Sequence, residues 1–439
     1  MTDKPVNSHG FLVDFFSILF GNSFHVVLSL INGIILARAL GTAGKGIVAG
    51  ILVYPMLFQS LLEGGLRQSA TYFVGQKKKA MEDILGAMAL GYMVTSLLGF
   101  LATYGTITCL MPTVLPRRFI AAAALIVPAQ IGISYAKGLL LGIGKINAFS
   151  KITWFPTLFL VVMLLFLLIG HGLTVENALL VTVAAAYLGF FQALWFLSRH
   201  VSFRFNLNGS VLWQMLRLGC VYALALFSLA LNYRIDVALL SAWSTANAVG
   251  IYSVATNIGE LLWYLPGVLV PLIFSRSANA GGTGYFEDLA RIVRYGFPIS
   301  CLLAVLFGIA GLYLIPVFYG FEFCASSHAL IFLLPGLVAM IPIKILNADL
   351  AGQGDPSLAL YTMMPGALIN VVLNYFLIPP LGASGAAIAS TISYFSASFI
   401  FLRGYTRKRN VSLQFFFRHA QSDLVLIRER ISNFIGKYK

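Results

Sequence analysis

Ionisable side chains embedded in apolar sequence are the residues of this chain best suited to chemistry. A charge at membrane depth is costly and persists where it faces a cavity or a partner. The candidates are Asp14, Lys137, Arg234, Asp236 and Glu260, with Arg38, Glu63 and Arg67 at the ends of apolar runs. Asn232 and Asp236 are four residues apart and share a helical face, whereas Arg234 points about 200° away from Asp236. Arg234 and Asp236 therefore cannot pair on a regular helix, and each needs another partner or water. Glu260 is within reach of Arg234 or Lys137. Arg38 is expected either to snorkel to the interface or to face a cavity, and Glu63 and Arg67 have the i, i+4 spacing of a local ion pair. Inward-facing Arg and Lys suit an anion, since Arg grips phosphate oxygens with two parallel hydrogen bonds. Asp236 and Glu260 are then free to bind H⁺ or Na⁺. The competing explanation is a buried structural ion pair. Tyr54, Tyr135, Asn232, Tyr233, Asn257 and Tyr264 could face sugars, but such residues are also routine in packing.

The elements that must position these residues follow from composition. Of 439 residues, 59% are hydrophobic and 10% charged, and mean hydropathy is +0.88, whereas a soluble domain is about 25% charged. This excludes a water-covered globule, a disordered chain and a coiled coil. The four cysteines, Cys109, Cys220, Cys301 and Cys324, lack metal-ligand spacing. Twelve apolar runs are each close to the length of a bilayer-crossing helix, about 20 residues. They are 12–36, 47–62, 84–110, 119–141, 152–169, 178–197, 216–241, 251–274, 292–318, 329–346, 358–378 and 383–402. The expected fold is an all-α polytopic membrane protein with about twelve transmembrane helices. The net charge of +14 reads as the cytoplasmic excess of Lys and Arg rather than a nucleic-acid surface. It puts both termini in the cytoplasm, leaving Arg38, Lys45, Arg117 and Arg118 in outer loops. The basic tail from Val411 carries one apolar stripe, expected to lie on anionic lipid or to bind a partner helix.

The chain also carries traces of duplication. Gly46-Ile47-Val48-Ala49 resembles Gly250-Ile251-Tyr252-Ser253, Leu141-Gly142-Ile143-Gly144 resembles Ala351-Gly352-Gln353-Gly354, and Pro156 and Pro365 lie inside the helices that follow. The nearly constant offset predicts two six-helix lobes, 1–200 and 201–405, in parallel repeat, followed by the tail 406–439. Parallel repeats of this kind are a transporter architecture, with cargo held between halves. Gly142, Gly144, Gly352 and Gly354 read as helix stops.

Leu36-Ala37-Arg38-Ala39-Leu40-Gly41, Gly44-Lys45-Gly46 and Gly64-Gly65-Leu66-Arg67-Gln68-Ser69-Ala70 resemble the first two helices of the polysaccharide (O-antigen type) flippases. Tyr233-Arg234-Ile235-Asp236 with Gly250-Ile251-Tyr252-Ser253-Val254-Ala255 is similar to that family's seventh and eighth helices. The family belongs to the multidrug/oligosaccharidyl-lipid/polysaccharide (MOP) superfamily. The resemblance implies translocation of an undecaprenyl-diphosphate-linked oligosaccharide between leaflets of a bacterial inner membrane, by alternating access with H⁺ or Na⁺ antiport. It places Arg38, Arg67 and Arg234 in the cargo cavity and Asp236 beside them as an ion-coupling group; Lys137 is added to the cavity and Glu260 to the coupling groups from the charges alone. It implies no cofactor and no catalysis, and association with a polysaccharide polymerase or glycosyltransferases. A drug/cation antiporter of the same superfamily is the alternative, although mixed charge with Arg and Lys fits a cation poorly. A glycan polymerase or ligase is disfavoured by outer loops of no more than about 15 residues, short of a domain. Gly281-Gly282-Thr283-Gly284 lacks the pattern of a phosphate-binding loop.

Overall fold

The structure, a computed structural model, describes residues 8–76, 79–111, 115–170, 172–279, 284–353 and 357–417. The helices are α1 (Ser8–Leu62), α2 (Leu66–Gly75), α3 (Met81–Leu110), α4 (Arg117–Ala124), α5 (Ile126–Gly142), α6 (Ile146–Gly170) and α7 (Val175–Ser198). They continue with α8 (Gly209–Trp243), α9 (Ala246–Gly259), α10 (Tyr264–Asn279), α11 (Gly284–Tyr319), α12 (Cys324–Ala339), α13 (Ile341–Gly352), α14 (Ser357–Arg409) and α15 (Gln414–Phe417). All twelve apolar runs fall on these helices, and no strand occurs among the described residues. Most of the tail, from Arg418 on, and Gly281–Thr283 lie outside the described residues.

The solvent of this protein is lipid. Large apolar side chains such as Leu97, Phe166, Leu302, Val317 and Leu368 point outward. The interior instead collects small polar ones, among them Ser228, Asn232, Thr256, Asn370 and Ser390. Helix association in lipid relies on close packing and interhelical hydrogen bonds, because lipid tails are as apolar as Leu. The protein is a multi-pass membrane protein. Helix starts are fixed locally: Thr174, Asn208 and Thr245 each accept a backbone N–H of the following turn, satisfying donors a helix cannot pair itself.

Two long helices are broken by one glycine each. In α1, Gly41 adopts φ 66°, a region that costs glycine little and other residues much. The Lys45 ammonium donates to the Gly33 carbonyl at 3.0 Å, although a straight helix would set those residues about 18 Å apart. The chain therefore bends back at Gly41. The sequence suggested an outer loop holding Arg38 and Lys45. Instead helix continues through this segment apart from Gly41, and Lys45 folds inward to 4% exposure. Gly382, after Pro379 and Pro380, breaks α14 in the same way with φ 53°.

Helices α1 to α7 pack among themselves, notably α1 on α6 and α2 on α5, as do α8 to α14, notably α8 on α14 and α10 on α13. The halves meet through α1 against α8 and α9, and through α2 and α3 against α8, where Gly65 lies backbone to backbone on Gly219. At the end where α1 turns, the contact is backbone on backbone. A Cβ on Gly46 would sit 1.7 Å from the Ala246 carbonyl oxygen, and one on Gly250 would sit 2.0 Å from that of Thr42. The resembling segments of the two halves thus meet reciprocally, each with the same four-residue step. Thr42 Oγ1 donates to Asn247 Oδ1 across the contact at 2.8 Å. Arg38 on α1 adds a second tie, donating through Nε to Phe318 O at 3.0 Å and through Nη2 to Val317 O. These carbonyls close the end of α11, where a cation also meets the helix dipole.

Because no side chain fits at this contact, Gly46→Val and Gly250→Val are expected to separate the halves there. A cysteine placed at Asn247 in a cysteine-free background should react with a membrane-impermeant maleimide about tenfold faster in either variant, corresponding to a shift of about 1.4 kcal/mol. Unchanged labelling would show that the glycines do not hold this end closed.

Candidate binding cavity

A cavity of about 800 Å³ lies between the halves, walled by α1, α8, α9, the turn after α9, the start of α10 and Tyr319. Its key carboxylate is positioned by a change in winding. Between α9 and α10 the chain tightens into a 3-10 turn at Glu260–Trp263, a feature often found at functional hinges. The turn aims Glu260 at Arg234 on α8. Arg234 Nη1 donates to Glu260 Oε1 at 2.8 Å and Nη2 donates to Oε2 at 2.9 Å. This is the two-pronged guanidinium–carboxylate geometry. Both residues line the cavity, with side chains 24% and 26% exposed.

Asp236, two residues along α8, faces the interior of the second half, as the helical geometry requires. It is 1% exposed. Its carboxylate accepts the Val237 N–H at 2.7 Å, the Ser390 hydroxyl at 2.8 Å and the Tyr252 hydroxyl. Behind it, Asn370 Nδ2 donates to Ser390 Oγ at 3.2 Å and Asn374 Nδ2 donates to Asn370 Oδ1 at 2.7 Å. Asn374 Oδ1 is buried without a partner.

The structure brings together only two of the six residues singled out from sequence, Arg234 and Glu260, on the cavity wall. Asp236 lies behind that wall and is not among its lining residues. Arg38 is engaged with the α11 carbonyls. Arg67 pairs with Glu63 at 2.7 Å and packs against α5, where its side chain lies 2.8 Å from the position of a Cβ on Gly138. Lys137 lies 5.5 Å from the Phe149 ring centroid and is not a lining residue. The Asp14 side chain lies outside the described residues. Of the suggested sugar-facing residues, Asn257 and Tyr264 line the cavity. Tyr54 is bonded to Ser241 at 3.0 Å, Tyr135 donates to Glu63 O at 3.2 Å and Asn232 donates to Met363 O at 2.5 Å. The Tyr233 ring packs against Trp263 with centroids 4.6 Å apart and planes tilted by 42°.

Two lining residues and one basic neighbour stand outside the site residues assigned from sequence. Lys45 lines the cavity. So does His25, which shares a 2.9 Å hydrogen bond with Thr157. Lys344 lies 4.0 Å from the Trp263 ring centroid and 4.9 Å from that of Tyr233, a cation–π arrangement. Each sits in or beside a long apolar run, and that was the available signal. The same signal that singles out Lys137 singles out Lys344 and His25.

Comparison with known proteins agrees with this geometry. The polysaccharide biosynthesis protein family matches residues 11–275, more than half of the chain, and the chain belongs to that family. The MatE family matches residues 222–376. A probable low-salt glycan biosynthesis flippase, Agl15, of Haloferax volcanii is 24% identical over 163 residues, 36% of this chain and 34% of that protein. An uncharacterized membrane protein of Methanocaldococcus jannaschii is 28% identical over 177 residues, 38% of this chain and 34% of that protein. The chain thus spans 34% of the length of each of these curated relatives. Among solved structures, the lipid II flippase MurJ in an inward closed conformation superposes with a TM-score of 0.72 at 12% identity, covering 91% of this chain and 88% of that one. An inward-facing multidrug resistance MATE family transporter of the MOP superfamily gives 0.68 at 16% identity, covering 88% and 95%. The fold is the two-lobe fold of the MOP superfamily.

The Arg234–Glu260 pair should behave as a unit. Losing one partner of a fully buried pair costs about 3–5 kcal/mol, and partial exposure here reduces that. Arg234→Met and Glu260→Gln should each lower Tm in detergent, while the double variant loses clearly less than the sum. Strict additivity would show that the two are not coupled.

Proposed function

We propose that this protein is a flippase carrying a lipid-linked oligosaccharide across the bilayer by alternating access of the cavity between its halves. The observation that carries this reading is the cavity itself. It is large enough for a polar head, lies at the contact between halves, and is lined by Arg234 and Lys45. Family membership and the glycan-biosynthesis flippase among its relatives support the same reading. In finer terms, the cargo is an undecaprenyl-diphosphate-linked polysaccharide unit moving from the cytoplasmic to the periplasmic leaflet of a bacterial inner membrane, with both termini cytoplasmic. The Gly46–Gly250 contact is then the outer seal. The cavity is lined by Tyr319 and Lys45 near that seal and by Leu19, Met56 and Gly267 farther along, and alternating access would open it to the cytoplasmic leaflet for cargo.

Asp236 is the proposed site of ion coupling. It is a buried carboxylate held by hydroxyls and amides, so it can exchange these donors for H⁺ or Na⁺ and change how α8, α9 and α14 pack. Glu260 takes part by holding or releasing Arg234. Arg38 and Arg67 act as ties, at the Gly41 bend of α1 and at the start of α2, and Lys137 adds positive charge within the first half. Lobes 1–200 and 201–405 move as the two units. The start of the tail 406–439 packs on the second lobe, where Arg294 Nη2 donates to Phe415 O at 2.7 Å and Phe416 is buried against Phe286 and Tyr405, and contact with anionic lipid is assigned to its basic remainder.

In cells lacking the native gene, Arg234→Ala and Asp236→Ala are each expected to abolish surface polysaccharide while the protein still inserts in the membrane, read by immunoblotting polymer and protein. Normal polymer in both variants would remove the cavity from the account. Asp236→Asn should separate the roles. Cargo translocation in proteoliposomes should lose its dependence on an imposed ion gradient, and retention of that dependence would assign coupling elsewhere.

A further inference from the structure

The cavity's charges are unequal in how they are satisfied. Among the described lining residues, Lys45, Arg234 and Glu260 carry formal charge. The last two cancel in their paired hydrogen bonds. Lys45 has no such counter-ion. Its side chain is on a residue only 4% exposed, gives one hydrogen bond, to the Gly33 carbonyl at 3.0 Å, and lies 5.7 Å from the Tyr319 ring centroid. It forms no ion pair with a described carboxylate. A lysine ammonium has three donors, and lysine is almost never fully buried unless paired. Beside Gly33 in sequence, Asn32 also lines the cavity, and its Oδ1 is buried without a partner.

An ammonium with donors to spare on a cavity wall is suited to an anionic ligand. We infer that Lys45 is the anchor for the anionic head of the cargo, a phosphate or diphosphate, which takes the two ammonium donors that the Gly33 carbonyl leaves unused. The inference rests on the flippase reading and adds to it a residue and a place. Arg234 cannot be the first anchor while Glu260 occupies both of its prongs. Lys45 also immediately precedes Gly46, whose backbone lies against Ala246 in the seal between halves. An anion held at Lys45 therefore pulls on the segment that keeps this end closed. Cargo recognition and opening share one short stretch, from the Gly41 bend to Gly46.

The test uses the full chain purified in detergent, with isothermal titration of three probes: farnesyl diphosphate, inorganic pyrophosphate and farnesol. Lys45→Met should bind farnesyl diphosphate about tenfold more weakly than the unaltered protein, the scale of one charge-assisted hydrogen bond. Farnesol binding should not change, and Lys45→Arg should retain the diphosphate. If Lys45→Met does not give a monodisperse protein, Lys45→Gln serves in its place. Diphosphate binding that survives loss of the charge, or its absence from the unaltered protein, would overturn the anchor. Equal, Lys45-dependent affinity for farnesyl diphosphate and pyrophosphate would keep the anchor and count instead against a polyprenyl-linked cargo.

Discussion

A formal charge enclosed by lipid-embedded helices must be matched, and the way this chain matches each of its charges sorts structure from function. Arg67 and Glu63 satisfy one another within one turn of chain. Arg38 spends its guanidinium on the carbonyls ending α11. Asp236 is matched by hydroxyls and a backbone N–H rather than by a cation. Arg234 and Glu260 match each other, but on the wall of a cavity, where the partnership can be exchanged. Lys45 is matched least. The order from fully internal to open matching runs from the helix ends towards the space between the halves.

Backbone proximity is what lets that space close. Gly46 and Gly250 bring α1 and α9 together without side chains between them, and single glycines at 41 and 382 bend the two longest helices. These contacts depend on the absence of a Cβ, so they are steep. They hold or they part, with little in between. Tight packing of this kind favours discrete arrangements over continuous deformation. The 3-10 turn that aims Glu260 at Arg234 sits on the same helix line as Gly250. The seal and the ion pair are thus joined through fewer than four turns of α9.

Much of the helical layout was legible because lipid imposes a simple code: length and hydropathy of a run predict a span, and all twelve runs lie on helices. The side-chain period also gave the opposite facing of Arg234 and Asp236, since that depends only on helix geometry. Glu260 was correctly within reach of Arg234. The choice between Arg234 and Lys137 was not legible, because it depends on how α9 winds into α10. Lys45 was misplaced for a related reason. Counting charges between apolar runs assumes a solvent-facing loop, whereas Gly41 supplies the bend alone and returns Lys45 to the interior. Arg38, Arg67 and Lys137 were grouped with the cavity because sequence registers depth but not direction. Lys344 and its aromatic neighbours are far apart in sequence, and only the packing of α13 against α10, next to the turn that carries Trp263, joins them.

The central claim is that the cargo's charged head travels inside the protein, between the halves. The most direct measurement is a structure of the protein in nanodiscs with a polyprenyl-diphosphate-linked oligosaccharide. Density for the diphosphate within the cavity, against Lys45 and near Arg234, is the expected result. A head group resolved on the lipid-facing exterior, with the cavity filled by water alone, would contradict the account.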